Sequence, residues 1–375
     1  SNWRLGHRCL ECSGRAKKTI EFISEDVAKE GYTLKTVSYE NCDQKLHLVC
    51  PNGHDYYVSW DNWNHSKSRC VKCKSWGTSD QEQSIIAFLK RYVSGVIEND
   101  RSVIPPYELD IVLPGINTAI EYCGLYWHSE IAGKDRNYHL DKTVQCEKQG
   151  YRLITIFEDE LVDNKHIVFS KLKNMLNITD DVVKRIYARK CCIKELDVKT
   201  ASDFCNANHL QGYGGSNIRL GLFYEDGLVS VMTFSRPSIA KGGKNKEGSW
   251  ELQRFCSKIN HNVIGGASKL LKYFERNYEW EEIFSYADRR WSNGNVYNKL
   301  EFEFLGYTKP NYWYLRKQSR IHRFALRKMK DDPKDQTEWQ IRRLQGWNRI
   351  WDCGNLRFIK HNQKVLKEKE RVFGE

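Results

Sequence analysis

The chain has 375 residues, 60 Lys+Arg against 48 Asp+Glu, a net charge of +12 and 13 Cys. That length exceeds what one core organises, so several domains are expected, and the charge favours an anionic partner. An odd cysteine count with two CxxC pairs argues for metal sites in a reducing compartment over a disulfide scaffold. No apolar run approaches 18 residues, so a membrane role is not expected and a soluble intracellular protein is.

In chain order, residues 1–77 read as a zinc-ribbon, DNA-binding region. Cys50-Pro-Asn-Gly-His54 and Cys70-Val-Lys-Cys73 supply two knuckles, a closed tetrahedral set for structural Zn²⁺. The aromatic segment 55–60 between them is strand-like, and residues 19–30 place Ile20, Ile23 and Val27 on one helical face. Trp63 to Cys73 partly repeats Trp3 to Cys12. Cys9 and Cys12 therefore read as the tail of a further ribbon whose first half lies ahead of the sequence. Alternatively His7, Cys42 or His47 completes a second zinc site with them.

Residues 78–178 read as helix 79–93, strands near 95–98, 107–113 and 117–123, helix 137–149, strand 152–157 and helix 164–176. This stretch is acidic, with 11 basic against 15 acidic residues, inside a basic chain. Asp110 alternates with apolar Leu109 and Ile111, and Glu121 lies on the following strand. Hard carboxylate oxygens on adjacent strands suit Mg²⁺, which keeps waters for hydrolysis of a phosphodiester. Glu82 on the preceding helix can join that shell through a water. His128 follows on the next loop as base or phosphate donor, and His139 and Lys142 share a helical face.

The same residues carry a resemblance. Glu82, Glu108-Leu-Asp110-Ile-Val, Ile120-Glu121-Tyr-Cys-Gly-Leu-Tyr-Trp-His128-Ser, His139-Leu-Asp-Lys142 and Leu153 to Glu160 resemble the PD-(D/E)xK nuclease fold. In detail they are similar to the EDxHD group of phage homing endonucleases and to very-short-patch repair endonucleases. The resemblance implies a site-specific double-stranded DNA endonuclease acting in a bacterial host cytoplasm during phage infection. Glu82 and Asp110 match the first two acidic positions, Glu121 the variable third, and His128 the histidine. The fifth role falls on His139 by its spacing to Lys142, or on Asp141. One site cuts one strand, so a double-strand cut implies a homodimer or sequential nicking.

Beyond residue 185, strand-like runs at 219–224 and 228–234 flank a Glu225-Asp-Gly227 hairpin turn. Val263-Ile-Gly-Gly-Ala-Ser268 then leads into an amphipathic helix, an arrangement that offers backbone N–H groups to phosphate. Glu251-Leu-Gln-Arg-Phe, Gly265-Gly-Ala-Ser and Tyr297-Asn-Lys-Leu300 are similar to a GNAT-type N-acyltransferase fold over residues 186–315. Glu301-Phe stands where that family has Gly-Phe. The domain is read as a DNA-contacting module, with acyl transfer or nucleic-acid modification, or a DNA-binding regulator with an inactive nuclease core, as the alternatives. Residues 316–375 read as a basic helical extension. Arg316, Arg320, Arg323, Arg327 and Lys330 fall on one helical face toward DNA, continued by Arg342 and Arg343. The expected whole is an α+β multidomain protein: zinc ribbon, PD-(D/E)xK-like mixed-sheet core, GNAT-like α/β domain and basic helical extension.

Overall fold

The computed structural model describes residues 18–51, 53–70, 80–180, 182–237, 247–316, 319–365 and 371. The chain is a mixed α+β protein that divides into two compact units, Ser1–Gln83 and Ser84–Glu375. The division falls inside a helix, a few residues beyond the boundary expected at residue 77.

The first unit holds α1 (Ile20–Ala28), β1 (Thr33–Leu34), β2 (Lys45–Val49), β3 (Asp55–Ser59) and α2 (Trp60–Asn64). The strands form an antiparallel sheet in the order β1-β2-β3. Thr19 caps α1 by accepting from the Phe22 N–H at 3.2 Å. The expected helical face is real: Ile23 and Val27 are buried with Leu46, Leu48, Val58 and Trp63. Burial of each such side chain contributes roughly 1.5–3 kcal/mol. Arg69 lies over the Trp63 ring at 3.6 Å and pairs with Glu30.

The second unit begins with α3 (Asp80–Tyr92), whose first turn precedes the division, then β4 (Ile97–Asp100), β5 (Leu109–Leu113) and β6 (Thr118–Cys123). It continues with α4 (Tyr138–Lys148), β7 (Arg152–Phe157) and α5 (Glu158–Met175). The sheet order is β4-β5-β6-β7. The first three strands are antiparallel, and β6 runs parallel to β7 with α4 as the crossover. Ile85 and Leu89 of α3 pack against Ile111, Ile120, Ile154 and Val168. One helix starts earlier than expected. The run from Glu158 continues directly out of β7, because Asn164, with φ −131° and ψ 35°, kinks a helix instead of preceding one.

The remainder comprises β8 (Lys184–Tyr187), β9 (Cys192–Glu195), α6 (Val198–Asn208), β10 (Ile218–Tyr224), β11 (Gly227–Ser235), β12 (Ser249–Ser257) and β13 (His261–Ile264). After these come α7 (Gly266–Asn277), β14 (Glu282–Asp288), α8 (Asn295–Lys299), β15 (Glu303–Tyr307), β16 (Tyr312–Arg316), β17 (Ser319–His322), α9 (Glu338–Leu344), β18 (Asn348–Trp351) and β19 (Asn355–His361). Seven strands form one sheet in the order β15-β19-β14-β12-β11-β10-β9. Glu225 and Asp226 make the two-residue turn between β10 and β11, with φ of 48° and 60°. Strands β12 and β14 run parallel and pair only at Ser249–Glu251 with Glu282–Phe284, so they splay apart beyond that point. Leu220, Phe234, Leu252, Leu270 and Phe274 form the core beneath α7.

Two expectations for the C-terminal region are corrected. Residues 316–330 are not a helix: β16 pairs with β17 as a hairpin, and a 3-10 turn covers Arg323–Leu326. Tyr312 and Tyr314 are buried with Trp313 between them less so, a period of two. The apolar residues opposite the arginines do not form a buried helical face: Ile321 is half-buried, and Phe324 and Ala325 are exposed. Nor is the boundary at residue 315 a domain border. Strand β19 lies between β14 and β15, so the β16–β18 sheet is an insertion in the larger one.

Candidate active site

The register places the acidic pair. Strands β5 and β6 align Ile111 with Ile120 and Val112 with Ala119. One further step sets Asp110 opposite Glu121. Leu109 and Ile111 are fully buried, which turns Asp110 to the other face. Its Oδ2 accepts from the Tyr122 N–H at 2.7 Å.

Glu121 is 2% exposed and Lys142 is 4% exposed. Lys142 Nζ donates to Glu121 Oε1, whereas Oε2 is buried and makes no regular hydrogen bond among the described residues, the Asp110 backbone being the other group that acts on the carboxylate. Burial pushes the Glu121 carboxyl up and the Lys142 ammonium pulls it back. Burial also opposes charge on Lys142, but Glu121 outweighs it and holds the amine above its ordinary value. The orphaned oxygen next to Asp110 is a hard donor of the kind Mg²⁺ takes.

Helix α4 brings His139 and Lys142 to this face, one turn apart, and leaves Asp141 exposed. Of the two candidates for the fifth role, His139 is therefore the one beside the cluster. His128 Nδ1 lies 3.3 Å from His139 Nε2, and the rings stack at 17°. Burial, then the Lys142 and Lys134 cations, push His128 down to about 3. Burial also pushes His139 well down, so both imidazoles are neutral at pH 7. Cys123 follows Glu121 by two on β6, on the same face, and its thiol is pushed well up by burial. The sequence reading passed over Cys123, although the i, i+2 spacing from Glu121 was visible. Glu82 is buried on the first turn of α3, the helix that crosses the division between the units.

In the first unit, donor atoms of Cys50, His54 and Cys70 lie within 4.8 Å of one another. Cys50 Sγ and His54 Nδ1 are 3.6 Å apart, close to the roughly 3.5 Å edge that a tetrahedral Zn–S/Zn–N pair requires. Cys73, like Cys9 and Cys12, lies outside the described residues.

The basic residues divide into two groups. Arg320 is committed internally: it pairs with Asp159 and Glu160 and lies 4.2 Å over the Phe157 ring. Arg342 is likewise spent on Asp332 and the Leu326 and Arg327 carbonyls. Neither is presented to a ligand, which corrects two of the expected DNA contacts. Arg316, Arg323, Arg327, Lys330 and Arg343 are exposed.

Two further features occupy the seven-stranded sheet region. A cavity of about 650 Å³ at the start of α7 is lined by Gly265, Ser268, Lys272, Arg276, Arg189 and Tyr187. Gly265 has φ 79°, which a glycine adopts without strain. Near α6, His209 is pushed down to about 3 by burial and then by Arg254. Thr233 Oγ1 and Ser235 Oγ on β11 are buried without partners among the described residues. Their alternation within an apolar strand was the unread signal.

Comparison with known proteins adds the following. The Mom protein family matches residues 190–373, just under half of the chain. An Escherichia phage T5 protein called "Putative endonuclease" is 38% identical over 65 residues, 17% of this chain and 22% of that protein. The match thus spans about a fifth of that curated relative. Part of the chain is similar in structure to a Bacillus subtilis acetyltransferase in complex with CoA, at 13% identity and TM-score 0.28. That alignment covers 46% of this chain and 99% of the other. A Streptococcus pneumoniae acetyltransferase of the GNAT family gives 12%, 0.28, 46% and 99% in the same order. No helix among the described residues is long and apolar enough to cross a membrane.

Proposed function

We propose that this chain is a metal-dependent DNA endonuclease of the phage homing, EDxHD type, built on a PD-(D/E)xK-like core. The observation that carries the reading is the buried Glu121 carboxylate, one oxygen on Lys142 and the other without a regular hydrogen bond, with Asp110 next in register. Asp110 and Glu121 would hold the Mg²⁺. The ion supplies a water of lowered pKa and charge to offset the phosphate. The protein's own contribution is positional. Lys142 fixes the Glu121 carboxylate and places a cation beside the substrate phosphate. Neutral His128 orients the attacking water by a hydrogen bond, and its contact with His139 fixes the ring's orientation. Cys50, His54, Cys70 and Cys73 would hold a structural Zn²⁺ in a ribbon that contacts double-stranded DNA. The similarity to the phage T5 protein supports this reading and a phage setting.

The test is cleavage of a DNA library with Mg²⁺. Site-specific products are expected from the native chain and none from Asp110→Ala at unchanged DNA affinity. Full cleavage by that variant removes the assignment.

A second reading places acyl transfer or nucleic-acid modification in the seven-stranded domain, favoured by the cationic cavity at the start of α7. Calorimetric titration with acetyl-CoA discriminates: binding weakened by Lys272→Glu supports it, and no heat removes the acetyl-CoA version.

A further inference from the structure

The proposed Mg²⁺ position uses hard oxygen donors. Immediately beside it stands a donor set of a different kind. Ligand atoms of Cys123, His128 and His139 all lie within 4.8 Å of one another. Cys123 and His139 are buried, and His128 is half-buried at the edge. Thiolate and imidazole are the donors that select Zn²⁺ and its neighbours, and Mg²⁺ does not take them.

The spacing is specific. Two imidazole nitrogens on one tetrahedral Zn²⁺ stand about 3.3 Å apart, given Zn–N bonds of about 2.0–2.1 Å. His128 Nδ1 and His139 Nε2 are 3.3 Å apart. The other face of His139 is arranged for the same purpose. Its Nδ1 is buried and makes no regular hydrogen bond, and the Trp351 backbone interacts with the ring. An outward N–H turned to a backbone carbonyl is the usual support of a metal-bound histidine. Neighbouring Cys353 is engaged by the Thr143 hydroxyl at 3.2 Å, and among the described residues no fourth His, Cys, Asp or Glu joins the group. Three protein ligands leave one tetrahedral position for an oxygen, the pattern of reactive zinc sites as opposed to closed structural ones.

The elements explain why these three meet. Cys123 ends β6, His128 sits five residues on in the following loop, and His139 is on the first turn of α4. Phe157 at the end of β7, paired in register with Cys123, stands edge-on to His139 at 5.5 Å. Leu315 and Ile350 of the insertion close the apolar wall around Cys123 and Phe157. Dry walls around a thiolate–imidazole set raise its preference for a soft ion over water.

We infer that Cys123, His128 and His139 form a Zn²⁺ site with one open position, separate from the Asp110–Glu121 position and adjoining it. The oxygen taken at the open position is a water or a phosphate oxygen of the DNA. The inference goes beyond the hydrolytic reading and does not need it: the donor set stands whether or not the chain cuts DNA.

The experiment uses the full chain carrying Cys50→Ser and Cys70→Ser, so that the ribbon ligands do not contribute. Zinc content and Co²⁺ absorption are recorded with and without Cys123→Ser and, separately, His139→Ala. The expected result is loss of one molar equivalent of metal and of the thiolate-to-Co²⁺ charge-transfer band in either variant, with cooperative unfolding retained. Equal metal content and an unchanged band overturn the site. If Cys123→Ser fails to fold, His128→Gln decides the same question on a less buried ligand. Asp110→Ala should keep the band while losing cleavage, so failure of the zinc site and failure of the nuclease reading are told apart.

Discussion

Two buried carboxylates, 39 positions apart in the sequence, differ in how completely their oxygens are engaged. Glu121 has one cation, Lys142, and an oxygen left over. Glu160 has both oxygens taken: Arg290 reaches them at 2.9 and 3.0 Å, Arg320 adds a third contact, and the Phe157 N–H donates at 3.1 Å. Burial raises the Glu160 carboxyl, but Arg290 and Arg320 overcome it and hold it down to about 2. Both groups sit near the ends of β6 and β7. One is saturated and ties the four-stranded sheet to the β14 loop and the β17 strand. The other is left with valence to spare, and unspent hydrogen-bonding capacity in a buried place is costly unless something arrives to use it.

That contrast can be broken experimentally. The largest effect belongs to the unsaturated side: Glu121→Gln should lower Mg²⁺-dependent cleavage on the order of 10³-fold, with Glu160→Gln leaving the rate per folded molecule unchanged. Equal losses in steady-state cleavage would erase the distinction.

Next comes the joint. Arg290→Ala strands Glu160 and Asp288 without their shared guanidinium and should destabilise the second unit by about 3–5 kcal/mol in urea unfolding. A loss below about 1 kcal/mol would mean that the network behaves like a surface pair.

The third prediction concerns acid. Glu160 titrates at about 2 in the fold against 4.5 ordinarily, a depressed carboxylate, so its contribution is present above pH 4.5. It is lost as pH falls through about 2, and the loss is on the order of 3 kcal/mol. Stability-against-pH curves for Glu160→Gln should lack that acid limb, and an unchanged limb would assign it elsewhere.

The smallest effect tests the sorting of the arginines. Arg323→Ala should reduce the log–log salt slope of DNA binding by about 1, whereas Arg320→Ala should cost stability and leave the slope alone. The reverse pattern would restore the stripe.

How far the sequence was legible follows from which forces are local. The α1 face, the succession of strands β4 to β7 along the chain and the Glu225–Asp226 turn depend on period and turn chemistry, and each was readable. Asp110 and Glu121 were legible because alternation on adjacent strands brings them together. Lys142 was placed on the right face by helical spacing alone. Spacing to Lys142 favoured His139 over Asp141 without deciding between them, and the difference the fold adds is that His139 is buried against Phe157 and His128 while Asp141 is exposed. The arginines failed for a complementary reason. Period on a helical wheel says nothing when the partner acids, Asp159 and Glu160, lie about 160 positions away. Strand β19 was invisible for the same cause: its neighbours in the sheet are not its neighbours in sequence.

That last strand has a consequence in time. Residues 355–361 fill the gap between β14 and β15, so the larger sheet cannot close until they have left the ribosome. The insertion that precedes them carries Leu315 and Ile350, which wall off Cys123 and Phe157. A nascent chain therefore carries Asp110, Glu121 and Lys142 early and the wall around Cys123 and Phe157 late, and long-range pairing of this kind is slow to form.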